Sequence, residues 1–313
     1  MAPRKLLAYG AIYILWGGSF LAIREIVAVV PPFFAAGFRF MAAGLALLLW
    51  GGFDARFELR PRQMLGAMAL GLVMFTCDYA SLFWAETRVA SGIAAVVFAM
   101  IPVWIFAGEV FLLRERRATA LSLGGIALGF AGVVVLGLRP SGGARPGGVS
   151  TFAILVLVGG TLCWSVGTLW SRRLLLPKPQ HANSGLQMFS GGFFLLLLAA
   201  STGELHRLPP AHILLGWRVV ASMAYLIVAA SIVSYSAYVW LIAHDSPTRV
   251  SSYAYVNPVF ALMIGALLAG ERLTPLEMAG AALVVGGVFA TLMGRSSASV
   301  RPKAQMKRPA ALH

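Results

Sequence analysis

The stretch YASLFWAETRVASGIAAVVFAMIP (79–102) returns later in the chain as YSAYVWLIAHDSPTRVSSYAYVNP (235–258). At an offset of 156, Tyr79 falls on Tyr235, Trp84 on Trp240 and Pro102 on Pro258. The register continues through Glu115 and Glu271, Arg116 and Arg272, and Gly124 and Gly280. Nearer the start of each copy the offset is 148: Trp16 falls on Trp164, Arg24 on Arg172 and Gly44 on Gly192. An insertion of eight residues between the two blocks accounts for the difference. The chain is therefore two copies of one unit, both made of long apolar stretches. Duplicated units of this kind are the usual build of secondary transporters.

Of 313 residues, 59% are hydrophobic and 12% charged, against about 45–50% and about 25% in a soluble domain. Such a chain cannot cover itself with polar surface, and lipid is its solvent. A helix needs about 20 apolar residues to cross ~30 Å of hydrocarbon. Ten segments qualify: about 6–29, 32–53, 63–86, 91–113, 119–138, 149–173, 184–203, 213–243, 247–270 and 275–294. Alternating strand patterns are absent, which argues against a β-barrel and leaves a helical bundle. Arg4 and Lys5 open the first apolar run as a cleaved leader would. The echo of Trp16–Arg24 in Trp164–Arg172 instead marks it as a retained helix. Cys77 and Cys163 fall inside spans and read as core thiols, neither a disulfide nor metal ligands.

The expected fold is an all-α integral membrane protein with ten transmembrane helices as two inverted five-helix repeats. Residues 1–5 form a cytoplasmic N-terminus, 6–138 the first repeat and 149–294 the second. The Gly- and Pro-rich 139–148 is the linker, and 295–313 is a basic cytoplasmic tail without periodicity. An odd number of spans per copy makes the second copy enter from the opposite side, and exchanging the two environments is a route to alternating access. The net charge of +14 does not point to nucleic acid, because it is sorted by side. On the side of the N-terminus lie 17 Lys and Arg, on the other 7, and Arg39 lies within a span. Without the tail the balance is still 12 to 7. That excess places both termini in the cytoplasm. Gly125 and Gly129, and Ala282 and Gly286, are four apart, a spacing that lets helices approach closely, within the protomer or across a dimer seam.

IYILWGGSFLAIREI (12–26), PPFFAAGFRFMAAG (31–44), ASGIAAVVFAMIP (90–102) and SSYAYVNPVFALMIGALLAGERLTP (251–275) together resemble the EamA branch of the drug/metabolite transporter superfamily, and within it the YedA-like exporters. The resemblance spans about 6 to 294 and is most specific at Tyr253–Pro258. It implies a central cavity lined mainly by helices 1, 3, 4, 6, 8 and 9, with helices 5 and 10 at the periphery. It also implies export of amino acids, related metabolites or drugs without ATP, in a bacterial inner membrane.

Arg39 is the most conspicuous candidate, since a central Arg costs about 2.5–3.5 kcal/mol and needs a partner or water. It lies eight residues inside its span and Asp78 eight residues before Glu86, so both are about 12 Å deep at 1.5 Å per residue. The second copy has Gln187 and Ser234 at these places, so both charges vanish together. A structural ion pair and a substrate or proton site both fit. Pro102 and Pro258 lie about 16 Å deep, and each clashes with a carbonyl four residues back, at Phe98 or Ala254. They are candidate hinge or gating residues. Trp16, Tyr79, Trp104, Trp164, Tyr235, Tyr238, Tyr253 and Tyr255 cluster at mid-depth, and Asn257 adds a paired donor and acceptor. With Arg39 and Asp78 they form the expected substrate-binding set, suited to zwitterions or to organic cations.

Glu115 and Glu271, beside Arg116 and Arg272, read as caps and loop ion pairs. There is no GxxxxGK[ST] phosphate loop, no zinc ligand set and no hydrolytic triad. The expected function is secondary export of small metabolites, amino acids first, with no cofactor, no metal, no catalytic residue and no nucleic acid. Its partners are the solute and the bilayer, and the chain is a monomer or weak dimer. Export of drugs or organic cations is the alternative, and a non-transporting solute sensor the rival class.

Overall fold

In the computed structural model of the protein the described residues are 3–52, 60–114, 117–137, 151–178, 180–245, 250, 253–270 and 274–297. The linker 139–149, the pairs Glu115–Arg116 and Glu271–Arg272, and the tail beyond 297 lie outside them. Among the described residues all regular structure is helical. Eight helices are long and apolar enough to cross a membrane. They are α1 (Pro3–Val27), α2 (Pro32–Gly52), α3 (Pro61–Glu86), α4 (Ser91–Leu112), α6 (Thr151–Ser171), α7 (Gln180–Ser201), α8 (Trp217–Leu241, continuing to His244) and α10 (Pro275–Ser297). Two apolar helices are shorter, α5 (Ala120–Gly137) and α9 (Tyr253–Ala269). The stretch expected at 213–243 is divided: a short helix, Ala211–Leu214, ends before Gly216, and α8 starts at Trp217.

Leu49, Trp50, Leu65, Leu267 and Leu268 are exposed, while Arg39, Asp78, Gln187 and Asn257 are buried. The apolar surface faces outward because the solvent there is hydrocarbon. Cys77 belongs to that outer face and Cys163 is half-buried, so the reading of both as core thiols is corrected. A thiol gains nothing from leaving lipid for the interior.

Helix pairing follows the repeat. α2 packs along α7 and α5 along α10; α1 packs on α8 and α9, as α6 does on α3 and α4; α4 meets α9. At the α2–α7 seam a Cβ on Gly44 would strike the backbone nitrogen of Phe189. A Cβ on Gly192 would lie 2.5 Å from that of Met41. Phe189 is the counterpart of Met41 at the 148 offset, so the contact is reciprocal. At the α5–α10 seam Gly125 and Gly129, four apart as expected, both back onto Gly287: a Cβ there would strike the backbone nitrogen of Gly129 and lie 2.6 Å from Gly125 O, while Gly132 faces Gly280. Gly286 is not part of this close approach, with only Leu128 near it, at 3.8 Å. In lipid such close backbone approach is the main source of association.

Four helices contain wide π turns: Ala11–Leu15 in α1, Gly71–Cys77 in α3, Gly108–Leu112 in α4 and Tyr225–Val233 in α8. Those of α3 and α8 end on equivalent residues, just before Asp78 and Ser234. A π turn breaks the i→i+4 ladder and leaves carbonyls for other donors. Here Tyr225 donates its hydroxyl to Leu15 O (2.8 Å) and Trp16 donates Nε1–H to Ala230 O (2.9 Å), stitching α1 to α8.

The two prolines are not equivalent. α4 breaks at Ala99–Met100, and Pro102 sits in the first turn of the continuing piece, Ile101–Ala107, where its missing N–H is harmless. Pro258 lies inside an unbroken α9. The expected matched pair of bends is therefore replaced by one break and one continuous helix. At the start of α2, Phe34 N–H donates to Glu204 Oε2 from the turn after α7 (2.9 Å), a cap supplied from 170 residues away.

Candidate functional site

A cavity of about 60 Å³ lies where α1, α3, α4, α6 and α9 converge, room for a few water molecules. Its wall holds Trp16, Asp78, Tyr79, Trp164, Tyr253, Asn257 and Pro258 from the expected set. It also holds Ser19, Phe20 and Phe98, which sequence inspection passed over. These three carry no signal of their own. Phe20 and Phe98 meet edge to face at 5.7 Å only because α1 crosses the break in α4.

The aromatic side chains form one connected wall. Trp16 packs against Tyr238 at 5.3 Å and Tyr253 at 5.4 Å. Trp164 packs against Phe75 at 5.8 Å, Tyr79 at 6.1 Å and Tyr235 at 6.4 Å. Tyr235 and Tyr238 stand behind the cavity: Tyr235 donates to Gln187 Oε1 (3.1 Å), and Gln187 donates on to Asn183 Oδ1 (2.8 Å). Asn257, with its amide turned to donate, reaches the carbonyls of Ile12 (3.3 Å) and Tyr13 (3.1 Å) in the π turn of α1. The buried Trp164 Nε1–H has no hydrogen-bond partner among the described residues.

Trp104 is not at the cavity. Its Nε1–H donates to Thr161 Oγ1 (3.1 Å) and its ring meets Phe130 at 4.9 Å, so it ties α4 to α6 and α5. The side chain of Tyr255 lies outside the described residues.

Arg39 and Asp78 do not pair, which corrects the ion-pair reading. Arg39 is 1% exposed; its Nε–H donates to Ser231 Oγ on α8 (2.9 Å), and its guanidinium lies 4.6 Å from the Phe40 ring and 5.2 Å from the Tyr79 ring. Among the described residues its Nη1 has no hydrogen-bond partner, and neither carboxyl oxygen of Asp78 has one. Equal depth did not bring them together because the π turn ending at Cys77 rotates Asp78 toward the cavity. Ser231, the true partner of Arg39, sits in a π turn that no sequence pattern announces.

Two ion pairs close the end of the bundle that carries the N-terminus. Lys5 Nζ lies 3.3 Å from Asp245 Oδ2, joining α1 to the end of α8, and Tyr9 donates to the same carboxylate. Arg172 Nη2 lies 3.3 Å from Glu109 Oε1, joining α6 to α4.

The model of the EamA-like transporter family matches the chain twice, over residues 6–138 and 151–293. The chain is 34% identical over 295 residues to "Uncharacterized inner membrane transporter YedA" of Escherichia coli (strain K12), covering 93% of this chain and 92% of that one. It is 26% identical over 288 residues to "Probable amino-acid metabolite efflux pump" of Salmonella typhimurium (strain LT2), covering 90% and 93%. A solved crystal structure superposes with a TM-score of 0.63 at 19% identity, over 93% of this chain and 97% of that one, a likeness of fold.

Proposed function

The chain belongs to the EamA-like transporter family, and from that premise we propose that it is a secondary exporter of small metabolites, amino acids first among them. It works by alternating access in the bacterial inner membrane. The observation that carries this reading is the central cavity, whose wall takes the equivalent residues Trp16 and Trp164 from the two copies. A chamber shared by both halves opens to either side when they rock.

Ten spans as two inverted five-helix repeats fit the pairing of α1 with α8 and α9 against that of α6 with α3 and α4. The distribution of Lys and Arg supports cytoplasmic termini. The pairs Lys5–Asp245 and Arg172–Glu109 are then the cytoplasmic latch. The relative printed as a probable amino-acid metabolite efflux pump supports the substrate class.

The test uses purified protein in liposomes preloaded with a labelled mixture of amino acids. Efflux is compared with protein-free vesicles, with and without a pH gradient. Efflux equal to that of protein-free vesicles for every amino acid would remove amino acids as the substrate class.

A further inference from the structure

Asp78 is 0% exposed, lines the cavity, and has no hydrogen-bond partner among the described residues on either carboxyl oxygen. An ionised carboxylate held out of water needs a counter-charge or donors. The titratable groups around it are Cys77 and Tyr79 on its own helix, Cys163 on α6 and Tyr253 on α9, none of them a base. Arg39 on α2 engages Ser231, Phe40 and Tyr79 instead. Among the described residues no Lys, Arg or His lines the cavity. The rest of the wall is aromatic and aliphatic apart from Ser19 and Asn257, and Trp16, Phe20, Phe98, Trp164 and Tyr253 offer rings to a cation.

We propose that Asp78 is a cation-exchange site, whose carboxyl holds either a proton or the ammonium group of the exported solute. With no basic side chain in the wall, a free carboxylate on the solute would be buried without a counter-charge. Within the small metabolites of the export reading, the solute this site favours over a free amino acid is therefore an amphipathic cation without a free carboxylate, such as a carboxyl-blocked amino acid or an aromatic amine. From the cytoplasm the ammonium group displaces the proton from Asp78, and the proton leaves to the cytoplasm. Outside, a proton from the medium displaces the solute. One proton enters for each cation that leaves, no net charge crosses, and no bond other than the carboxyl O–H is made or broken. Exchange is enforced because the empty, ionised site is the costly state for a carboxyl buried as Asp78 is.

The proposal rests on the export reading, and the test separates the two. Infrared spectra of reconstituted wild type and Asp78→Asn at neutral pH, in water and deuterium oxide, are subtracted. The wild type should show the carbonyl band of one protonated carboxylic acid that the variant lacks. Asp78→Asn mimics the protonated acid, so it should keep the wild-type thermal midpoint. Adding L-phenylalaninamide to weakly buffered wild type should remove the band and release about one proton per protein. L-Phenylalanine should need at least about tenfold higher concentration, the value of one charge-assisted hydrogen bond. Asp78→Asn should release none. No acid band, no proton release with the amide, or tighter binding of the free amino acid would overturn the exchange site. Proton release without efflux of either compound from proteoliposomes would instead remove the export reading and leave the site standing.

Discussion

Tyr79 and Tyr235, equivalent residues of the two copies, stand against the same ring: Trp164, at 6.1 and 6.4 Å. Their hydroxyls have diverged in use. Tyr235 is spent on Gln187, while the Tyr79 ring faces the Arg39 guanidinium and the cavity.

The unpartnered Trp164 Nε1–H is then a donor available to a solute at the cavity wall. Trp164→Phe keeps the ring contacts and removes a buried unpaired donor, so the thermal midpoint should hold or rise. Apparent solute affinity should fall about three- to tenfold, the value of one neutral hydrogen bond. Unchanged affinity would mean that the indole only packs.

Gly44 and Gly192 test the α2–α7 seam. Alanine at either drives a methyl into the partner backbone and should cost about 1–3 kcal/mol. Gly159→Ala, on α6 with nothing within 4 Å, should be neutral or gain about 0.5–1 kcal/mol from helix propensity. Thermal melts of the purified variants in detergent decide it, and equal losses at all three sites would refute the seam.

The bundle was legible because it rests on composition and period. Two copies of apolar segments carry the repeat register, and Trp16, Trp164, Tyr253 and Asn257 reach the cavity from positions that the register and the motif at 253–258 had singled out. Azimuth was not legible. Counting residues gives depth along a helix, but a π turn adds rotation, and its placement depends on donors such as Tyr225 and Trp16 from distant sequence. Asp78 and Arg39 were misjudged for this reason. Trp104 was misassigned because its partner Thr161 comes from the other copy.

Arg39 and Asp78 should therefore behave independently. Ser231→Ala removes the bond to the Arg39 guanidinium and should destabilise by about 1.5–3 kcal/mol. Arg39→Gln combined with Asp78→Asn should be additive within about 0.5 kcal/mol. Recovery of stability in the double variant would restore the ion pair rejected above.

The latch makes a graded prediction. Lys5–Asp245 and Arg172–Glu109 are partly exposed on their basic side, so each is worth about 0.2–1 kcal/mol. Glu109→Gln with Asp245→Asn should shift the population toward the face carrying the N-terminus by about two- to thirtyfold. Labelling of cysteines placed near each mouth with an impermeant thiol reagent would read the shift, and unchanged labelling would rule the latch out.

Glu204 sets a pH dependence. Burial raises its carboxyl above the ordinary 4.5, offset in part by the amides of Phe34 and Phe33 and by Arg207. A raised folded value means that the fold favours the protonated form. Its contribution is full below 4.5 and is lost as pH rises through the folded value. Glu204→Gln should match the wild-type thermal midpoint in acid and exceed it above that window. A wild type that gains on the variant as pH rises would show the carboxylate cap to be the stronger effect.

The π turns bear on isotope exchange. In an ordinary membrane helix the ends fray into water and the middle is sealed. In α1, α3 and α8 the hydrogen-bond ladder is loosest midway, at Ala11–Leu15, Gly71–Cys77 and Tyr225–Val233, where side chains substitute for backbone partners and water can take their place when the chamber opens. Deuterium should enter these three helices from the centre outward during turnover, while α2 and α5, bound along their lengths to α7 and α10, take it up only from their tips.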